Sequence, residues 1–242
     1  MQIIMSSLVP QNFFKPTFSS QDMAIKKNDF VEIEFTGKIK DTNQVFDTTI
    51  KADAEKANLK IKEIKPFILS VGHKMLPGGF DADLEGKEVD KQYTLELSPE
   101  NAFGKRDQKL VKMIPTKLFH EQKINPVKGL QLNLDGQVVK ILSNSGGRTL
   151  VDFNTPLAGK DIVYEYKILK QVTEEDDKVN ALQDFLFRKR FDFEIKGDKI
   201  VFKVDKTFEP FIKMMAEKIK EILGKDAEAE VVETAKEEKK KE

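Results

Sequence analysis

Residues 98–107 read Ser98-Pro99-Glu100-Asn101-Ala102-Phe103-Gly104-Lys105-Arg106-Asp107. An alternating strand, residues 93–97, ends at this proline, and an Ala-Phe-Gly corner follows. After the corner the sequence changes: residues 105–149 are rich in Lys and Arg and have a helix-then-hairpin pattern before strand-like sequence resumes. We interpret Phe103 as an aromatic residue of a binding pocket and the residues after it as the entrance to an inserted domain.

The length and amino-acid composition of the chain exclude several classes of protein. A chain of 242 residues is long for one compact domain and predicts two or three modules. Lys and Arg total 41, as do Asp and Glu, so no net charge attracts nucleic acid or an acidic membrane. Cysteine is absent and histidine occurs twice, which excludes disulfides and leaves little for a metal site. We expect no cofactor, no nucleic-acid partner and no metal.

The N-terminus lacks the features of a targeting segment. Residues 1–7 have no basic region and no long apolar core, and no apolar run in the chain approaches the roughly 20 residues of a membrane span. Residues 1–24 carry two prolines and no periodicity, so we expect a flexible extension, with Met23 the more natural start than Met1. The sequence predicts a cytoplasmic protein without a membrane partner.

Strand signals dominate the chain from Asp29 onward. Val31, Ile33 and Phe35 alternate with glutamates and predict a half-buried strand. Thr36-Gly37 is expected to permit a bend before a second strand at residues 45–49. Further strands are predicted at residues 66–72, 91–97 and 162–169, and a short helix at 80–84, stopped by Gly86.

Two further modules are expected. Within residues 105–149 the pattern predicts an extended segment at 110–114, a helix at 115–123 and a hairpin at 131–142 around Asp135-Gly136. Residues 174–177 are interpreted as a charged linker. Beyond them a helix, two strands joined at Gly197-Asp198 and a second helix at about 208–223 predict a small α+β module, and residues 236–242 a solvated charged tail.

An ordered set of short motifs resembles FKBP-type peptidyl-prolyl cis-trans isomerases. The motifs are Phe35-Thr36-Gly37, Val45-Phe46-Asp47, Pro66-Phe67, Gly79-Phe80, Ala102-Phe103-Gly104 and Val163-Tyr164-Glu165. Leu157-Ala158-Gly159, after an insert, resembles SlyD-like members, whose extra domain sits in the flap, and the added C-terminal module is similar to long archaeal members.

The resemblance implies an α+β fold in which an FKBP-like antiparallel sheet wraps on a short helix, with an inserted small mainly-β domain and a C-terminal α+β module. The resulting predicted domains are 1–24, a flexible extension; 25–104 with 150–172, the isomerase domain; 105–149, an insert-in-flap chaperone domain; 176–235, the C-terminal domain; and 236–242, the tail.

The resemblance also implies the site. The predicted catalytic residues are Phe35, Phe46, Asp47, Phe103 and Tyr164, and the predicted substrate-binding residues are Phe67, Leu76, Pro77 and Phe80. Phe80 stands where many members have Trp, and Phe103 and Phe35 stand where they have Tyr. Pro77 has no N–H to offer a substrate. Aromatics at alternating strand positions are more often plain core than pocket, so the residues alone leave both interpretations open.

The inserted domain carries a second candidate function. In SlyD-like proteins this domain captures unfolded chains, which needs exposed, adaptable apolar surface. The predicted chaperone surface consists of Leu110, Val111, Met113, Ile114, Leu118 and Phe119. Each of these could equally belong to the insert's own core.

We therefore predict a peptidyl-prolyl cis-trans isomerase that acts on X–Pro bonds of unfolded, nascent or partly folded proteins, with chaperone-type capture by the insert. The alternative is an isomerase-weak holdase or assembly factor on an FKBP scaffold. Nucleic-acid binding by the basic insert is disfavoured because its basic residues are not interleaved with exposed aromatics. A homodimer through the phenylalanine-rich C-terminal domain is one assembly the sequence allows.

Overall fold

The computed structural model describes residues 24–60, 63–134 and 136–232. The predicted N-terminal extension lies outside this range except for Ala24, which forms an isolated antiparallel bridge with Glu88. The predicted charged tail and Asp135 of the predicted hairpin turn also lie outside it. Among the described residues no helix is long and apolar enough to cross a membrane. The cytoplasmic location stays a prediction.

The first sheet has five antiparallel strands: β1 (Phe30–Ile39), β2 (Val45–Thr48), β3 (Phe67–Ser70), β4 (Gln92–Leu97) and β9 (Ile162–Gln171). Their order in the sheet is β2-β1-β9-β4, with β3 also paired to β1. Two short helices, α1 (Lys51–Lys56) and α2 (Gly78–Asp83), accompany it.

One face of the first sheet is packed against α2. The predicted alternation is confirmed, since Val31, Ile33 and Phe35 are buried while the glutamates between them are partly exposed. Phe80 and Leu84, at α2 and its C-terminal end, are fully buried in the same apolar cluster. Helix α2 begins at Gly78, two residues before the predicted start, with Pro77 just ahead of it.

The second sheet is built from the residues between β4 and β9, in the order β5-β8-β7-β6. Its small core contains Phe119, Val139, Ile141 and Val151. The elements are β5 (Val111–Pro115), α3 (Thr116–Glu121), β6 (Gln131–Leu134), β7 (Gln137–Ser145) and β8 (Arg148–Asp152).

The third sheet has three strands in the order β10-β11-β12 and packs with two helices. Phe30 and Val172, from the two ends of the first-sheet segment, are buried in the apolar cluster of this module. The elements are α4 (Glu175–Leu186), β10 (Asp192–Lys196), β11 (Lys199–Val204), α5 (Glu209–Leu223) and β12 (Asp226–Val231).

Two features of the C-terminal part differ from the sequence interpretation. The acidic residues predicted as a linker form the first turn of α4, where carboxylates are stabilised by the helix dipole. Strand β12 was not predicted; it pairs in parallel with β11 over residues 226–231. The predicted α+β class with few helices is confirmed, and its sheets are antiparallel apart from the β11–β12 pair.

Candidate active site

Aromatic rings from separate elements meet where α2 packs on the first sheet. The Phe80 and Tyr164 ring centroids are 4.8 Å apart, and Phe35 lies edge-on to both, at 6.2 and 5.8 Å. Phe46 bridges Tyr164 and Phe103, with centroids 5.8 and 5.6 Å away. Five of the aromatic residues predicted from sequence therefore form one edge-to-face cluster, an arrangement that aromatic quadrupoles favour.

The cluster has a buried layer and an accessible layer. Phe35, Phe80 and Tyr164 are at most 4% exposed and belong to the core of the first sheet. Phe46 and Phe103 are only partly buried and pack on that core from outside. A ligand can therefore touch Phe46 and Phe103, while the three rings beneath hold them in place.

Gly37 is required by the close approach of two of these rings. A methyl group built at Gly37 would lie 2.6 Å from Phe46 Cζ and 2.9 Å from Tyr164 Cε1. The backbone at Gly37 pairs with Asp47 on β2 and with Tyr164 on β9, so the absent side chain leaves room for the rings. The predicted bend at Gly37 does not interrupt strand β1, which continues to Ile39, but the pairing of β1 with β2 shifts register between Gly37 and Lys38.

Strand β2, which carries Phe46 and Asp47, is held by buried threonine hydroxyls. Thr48 Oγ1 donates to the Phe35 carbonyl at 3.0 Å and lies 2.8 Å from Thr36 Oγ1. Thr36 Oγ1 in turn donates to Asp53 Oδ2 of α1 at 2.7 Å. Because these groups lie opposite the aromatic face, they fix β2 without adding polar atoms to the pocket.

Helix α2 is fixed by a close backbone contact. The Gly79 N–H donates to the Asn101 carbonyl at 2.9 Å, and a Cβ at Gly79 would come within 2.9 Å of that oxygen. Glycine therefore lets α2 approach the Ser98–Gly104 corner. The contact places Phe80, one residue later, under the same corner that carries Phe103.

Asp47 is the acidic group beside the cluster. Its side chain is exposed, yet desolvation by the neighbouring protein raises the pKa of its carboxyl, partly offset by a hydrogen bond from the Thr48 backbone. The pKa of the Tyr164 hydroxyl is raised by burial and then by the negative charge of Asp47. Tyr164 therefore stays a neutral donor over the working pH range.

The remaining predicted substrate-binding residues lie around the same core. Phe67 on β3 pairs with Ile33, so its side chain shares the face of β1 that carries Phe35. Leu76 is half-buried and packs on the first-sheet core, and Pro77 is half-buried at the start of α2. Among the ring pairs of the described residues, Phe67 has no partner in the cluster.

A cleft of about 770 Å³ lies between the two sheets. Ile39, Phe46 and Phe103 form one wall, and residues of β7, including Val138 and Leu142, form the other. The 154–160 segment, with Pro156, Leu157 and Ala158, also lines the cleft. The accessible layer of the aromatic cluster therefore opens toward the second sheet.

The face of the second sheet that lines the cleft is opposite its core. Val139 and Ile141 point into the core, so Val138 and Lys140 point to the other side. Lys140 pairs with Asp152, which pairs with Val111 on β5. We call this side the outer face; it is represented by Val111, Met113, Val138, Lys140 and Asp152.

The predicted chaperone surface divides into exposed and buried residues. Leu110, Met113 and Leu118 are 38%, 59% and 50% exposed, whereas Val111 and Ile114 are partly buried, Ile114 against the second core. Phe119 is 3% exposed and is a centre of that core, so its placement on the surface was wrong. With only four buried apolar residues, the second sheet needs this ring inside.

Several cleft residues were missed by sequence reasoning. Leu157 and Ala158 were recognised as part of the resemblance, but no role was drawn from them, although apolar residues in a loop were the available signal. Val138 and Leu142 gave no signal, because only the packing of two sheets brings them to Phe46. Tyr166 was also missed; its ring lies 4.7 Å from Phe80, and its hydroxyl donates to Asp83 at 2.6 Å.

Comparison with known sequences assigns the chain to a family. Residues 21–121 match the profile of the FKBP-type peptidyl-prolyl cis-trans isomerase family, and residues 112–157 match the profile described as FKBP26, IF domain. The chain is 30% identical over 146 residues to a short-type peptidyl-prolyl cis-trans isomerase of Methanocaldococcus jannaschii, covering 60% of this chain and 92% of that protein.

Two bacterial relatives match as well. The chain is 33% identical over 112 residues to a probable FKBP-type 16 kDa peptidyl-prolyl cis-trans isomerase of Pseudomonas fluorescens, covering 43% of this chain and 71% of the relative. It is 25% identical over 162 residues to the isomerase SlyD of Vibrio cholerae, covering 65% and 73%. The chain belongs to the FKBP-type peptidyl-prolyl cis-trans isomerase family.

The site has the chemistry that proline isomerisation needs. The barrier of about 18–20 kcal/mol arises from lost amide resonance, so the reaction requires no nucleophile and no proton transfer. An apolar pocket favours the twisted amide, and each 1.4 kcal/mol or so of preferential binding to it gives a tenfold rate gain. In the described ranges no cluster of three His, Cys, Asp or Glu side chains is arranged to hold a metal ion.

Proposed function

We propose that this isomerase acts on X–Pro bonds of unfolded, nascent or partly folded proteins, and that residues 105–149 form an insert-in-flap chaperone domain that captures these chains. The observation that carries the proposal is the cleft, which has Phe46 and Phe103 on one wall and the outer face of the second sheet on the other. A chain held by the second sheet therefore lies beside the accessible rings.

Exposed apolar side chains support the capture step. Large exposed hydrophobic residues of the described chain are concentrated in the second-sheet segment: Leu110, Met113, Leu118, Val127 and Val138. Such residues cost free energy in water unless a partner covers them. The profile match at residues 112–157 agrees with an insert of this type. Together with the third sheet, these features support a long archaeal-type member with a SlyD-like insert.

We assign the site residues by their positions. Phe46 and Phe103 contact the proline ring, and Asp47 orients the substrate chain from the edge of the cluster. Phe35, Phe80 and Tyr164 form the floor beneath them. Phe67, Leu76 and Pro77 extend the apolar surface on the side of β3 and α2.

The test compares two substrates of one enzyme. Isomerisation of a short X–Pro peptide is measured by NMR exchange, and refolding of a proline-limited protein is measured in parallel. The variant Leu110→Ser/Met113→Ser/Leu118→Ser removes exposed apolar surface outside the lining of the cleft. We expect the ratio of the protein rate to the peptide rate to fall at least fivefold, about 1 kcal/mol of binding.

The matched control is Met214→Ser on α5, which is 61% exposed and lies in another module. It should leave the ratio at the wild-type value. An unchanged ratio in the triple variant would refute capture by the second sheet. Suppression of aggregation by a protein that accelerates neither substrate would instead support the holdase alternative.

We also propose a homodimer through the C-terminal domain. Strand β10 is an edge strand, and an open groove lined by Phe191–Lys196 runs along it. Antiparallel pairing of two β10 strands about Glu194 would set Asp192 of one copy opposite Lys196 of the other, and the two Glu194 side chains that then face each other are each neutralised by Lys196 and Lys203 of their own chain. Sedimentation equilibrium tests this: Ile195→Pro should shift the mass to one chain, and a monomeric wild type would refute the proposal.

A further inference from the structure

The cleft is lined by more positively charged than negatively charged side chains. Its lining includes Arg106, Lys140, Lys160 and one carboxylate, Asp152. Arg106 and Asp152 neutralise each other, because Nε and Nη2 of Arg106 lie 2.9 and 2.8 Å from Asp152 Oδ2. Two lysines therefore remain on a cleft whose other walls are mostly apolar.

Lys140 and Lys160 have no ion-pair partner among the carboxylates of residues 24–60, 63–134 and 136–232. Lys140 points from the outer face of the second sheet, and Lys160 follows the apolar Pro156–Ala158 segment. Most lysines of the first sheet, in contrast, have a carboxylate nearby; Lys38 with Glu165 and Lys40 with Glu96 are examples. The two ammonium groups are free to bind a ligand.

The position of these lysines relative to the rings defines what they can bind. Phe46 and Phe103 take the proline side chain, so the lysines face residues that flank the proline in an extended chain. Asp47 is not among the residues that line the cleft; its negative charge acts on Tyr164, which contacts Phe46, and repels an acidic residue there. An acidic side chain near the proline is therefore directed to the side of Lys140 and Lys160.

We propose that Lys140 and Lys160 make this isomerase select X–Pro segments that carry Asp or Glu within a few residues of the proline. This inference rests on the proposed function and names the substrate class of the same cleft. Exposed ion pairs contribute modestly to binding free energy. We therefore expect the KM for an acidic peptide to be lower than that for a matched neutral peptide, by about threefold for contact with one lysine and about tenfold for contact with both. The preference should weaken with salt, since the Debye length falls to roughly 8 Å at physiological ionic strength.

The experiment uses the full chain and peptides that differ at one flanking position. Peptides with Glu, Gln or Lys before or after the X–Pro pair are assayed by NMR exchange at low and high salt. The wild type should show a KM about tenfold lower for Glu than for Gln at low salt, and a higher KM for Lys. The ratio of the Glu and Gln values should approach one in Lys140→Gln/Lys160→Gln.

The matched control is Lys123→Gln/Lys128→Gln, which removes the same charge from exposed lysines of the second-sheet segment outside the cleft. It should keep the wild-type preference. Equal KM values for Glu and Gln in the wild type, or the same preference in both double variants, would overturn the inference. Neither result affects the protein-to-peptide ratio that tests capture, so the two proposals fail separately.

Discussion

The aromatic cluster and the outer face of the second sheet are two walls of one cleft, but they are built differently. Three rings of the cluster are core residues of a five-stranded sheet, at most 4% exposed. The second sheet buries only four apolar residues and leaves Met113 and Val138 about half exposed. Catalysis needs fixed groups that favour one twisted geometry, whereas capture of varied chains needs adaptable surface.

This difference determines how each wall responds to mutation. A change in the cluster alters the core and the site together, because the same rings serve both. A change at Met113 or Val138, the exposed apolar residues of the outer face, removes surface that is not part of the buried core of the second sheet. Stability and function are therefore coupled on one side of the cleft and separable on the other.

The largest expected effect is that of Phe80→Ala. The Phe80 ring contacts Phe35, Tyr164 and Tyr166 and is fully buried, so its loss should lower the free energy of unfolding by about 3–5 kcal/mol. Met113→Ser, on the outer face, should change it by less than about 0.5 kcal/mol. Urea unfolding followed by tyrosine fluorescence measures this.

The fluorescence is selective for the region in question. The chain has three tyrosines and no tryptophan, and Tyr93, Tyr164 and Tyr166 all lie in the first sheet. Their signal therefore follows unfolding of the cluster, and far-UV circular dichroism, recorded in parallel, also follows unfolding of the second sheet, where Met113 lies. A loss in Met113→Ser comparable with that in Phe80→Ala would contradict the contrast between the two walls.

A smaller effect is expected from one methyl group at Gly37. Gly37→Ala places a carbon within 3 Å of both Phe46 and Tyr164, which must move apart. Overpacking of this kind should cost about 1–3 kcal/mol of stability. Displacement of Phe46 from the cleft should lower kcat/KM on an X–Pro peptide about tenfold, equivalent to about 1.4 kcal/mol.

Gly78→Ala is the control, because no heavy atom lies within 4 Å of a Cβ built there. This substitution should preserve peptide isomerisation and raise stability slightly by restricting the unfolded chain. Equal activity of the two alanine variants would mean that the Phe46–Tyr164 spacing does not matter for the reaction.

Much of the first sheet could be predicted because two independent signals agreed. The alternation of Val31, Ile33 and Phe35 identified a half-buried strand, and the ordered motifs placed the rings on one site. The role of Gly37 could not be predicted, since it depends on rings from strands β2 and β9 that close over it. The cleft could not be predicted from the sequence either, because it depends on how the two sheets pack against each other.

The errors elsewhere also have physical causes. Helix α3 has six residues, too few for the 3.6-residue period to show that Phe119 faces inward. Strand β12 alternates acidic residues with alanines, a composition with little strand propensity. It forms because Ala227 and Ala229 pack on the third-sheet core and Glu228 pairs with Lys199.

The smallest effect concerns Asp47, the acid on the boundary between rings and solvent. Desolvation raises its pKa above the ordinary value near 3.8, so the folded state holds this proton more tightly than the unfolded state. The stability that protonated Asp47 contributes is therefore fully present at low pH, and it is lost as the pH rises from about 3.8 through the raised pKa of Asp47. Asp47→Asn should be more stable than the wild type at neutral pH, by less than about 1 kcal/mol since the group is exposed, and equal to it at pH 3.

Activity should change in the opposite direction, because the carboxylate that destabilises the fold orients the substrate. At neutral pH Asp47→Asn should isomerise an X–Pro peptide more slowly, by tenfold at most, about 1.4 kcal/mol. The wild type should lose this advantage on acidification through the raised pKa, whereas the variant should show no such step. Asp41→Asn, in the exposed turn before β2, removes the same charge as a control. A variant that gained stability without losing rate would show that Asp47 borders the pocket but plays no part in it.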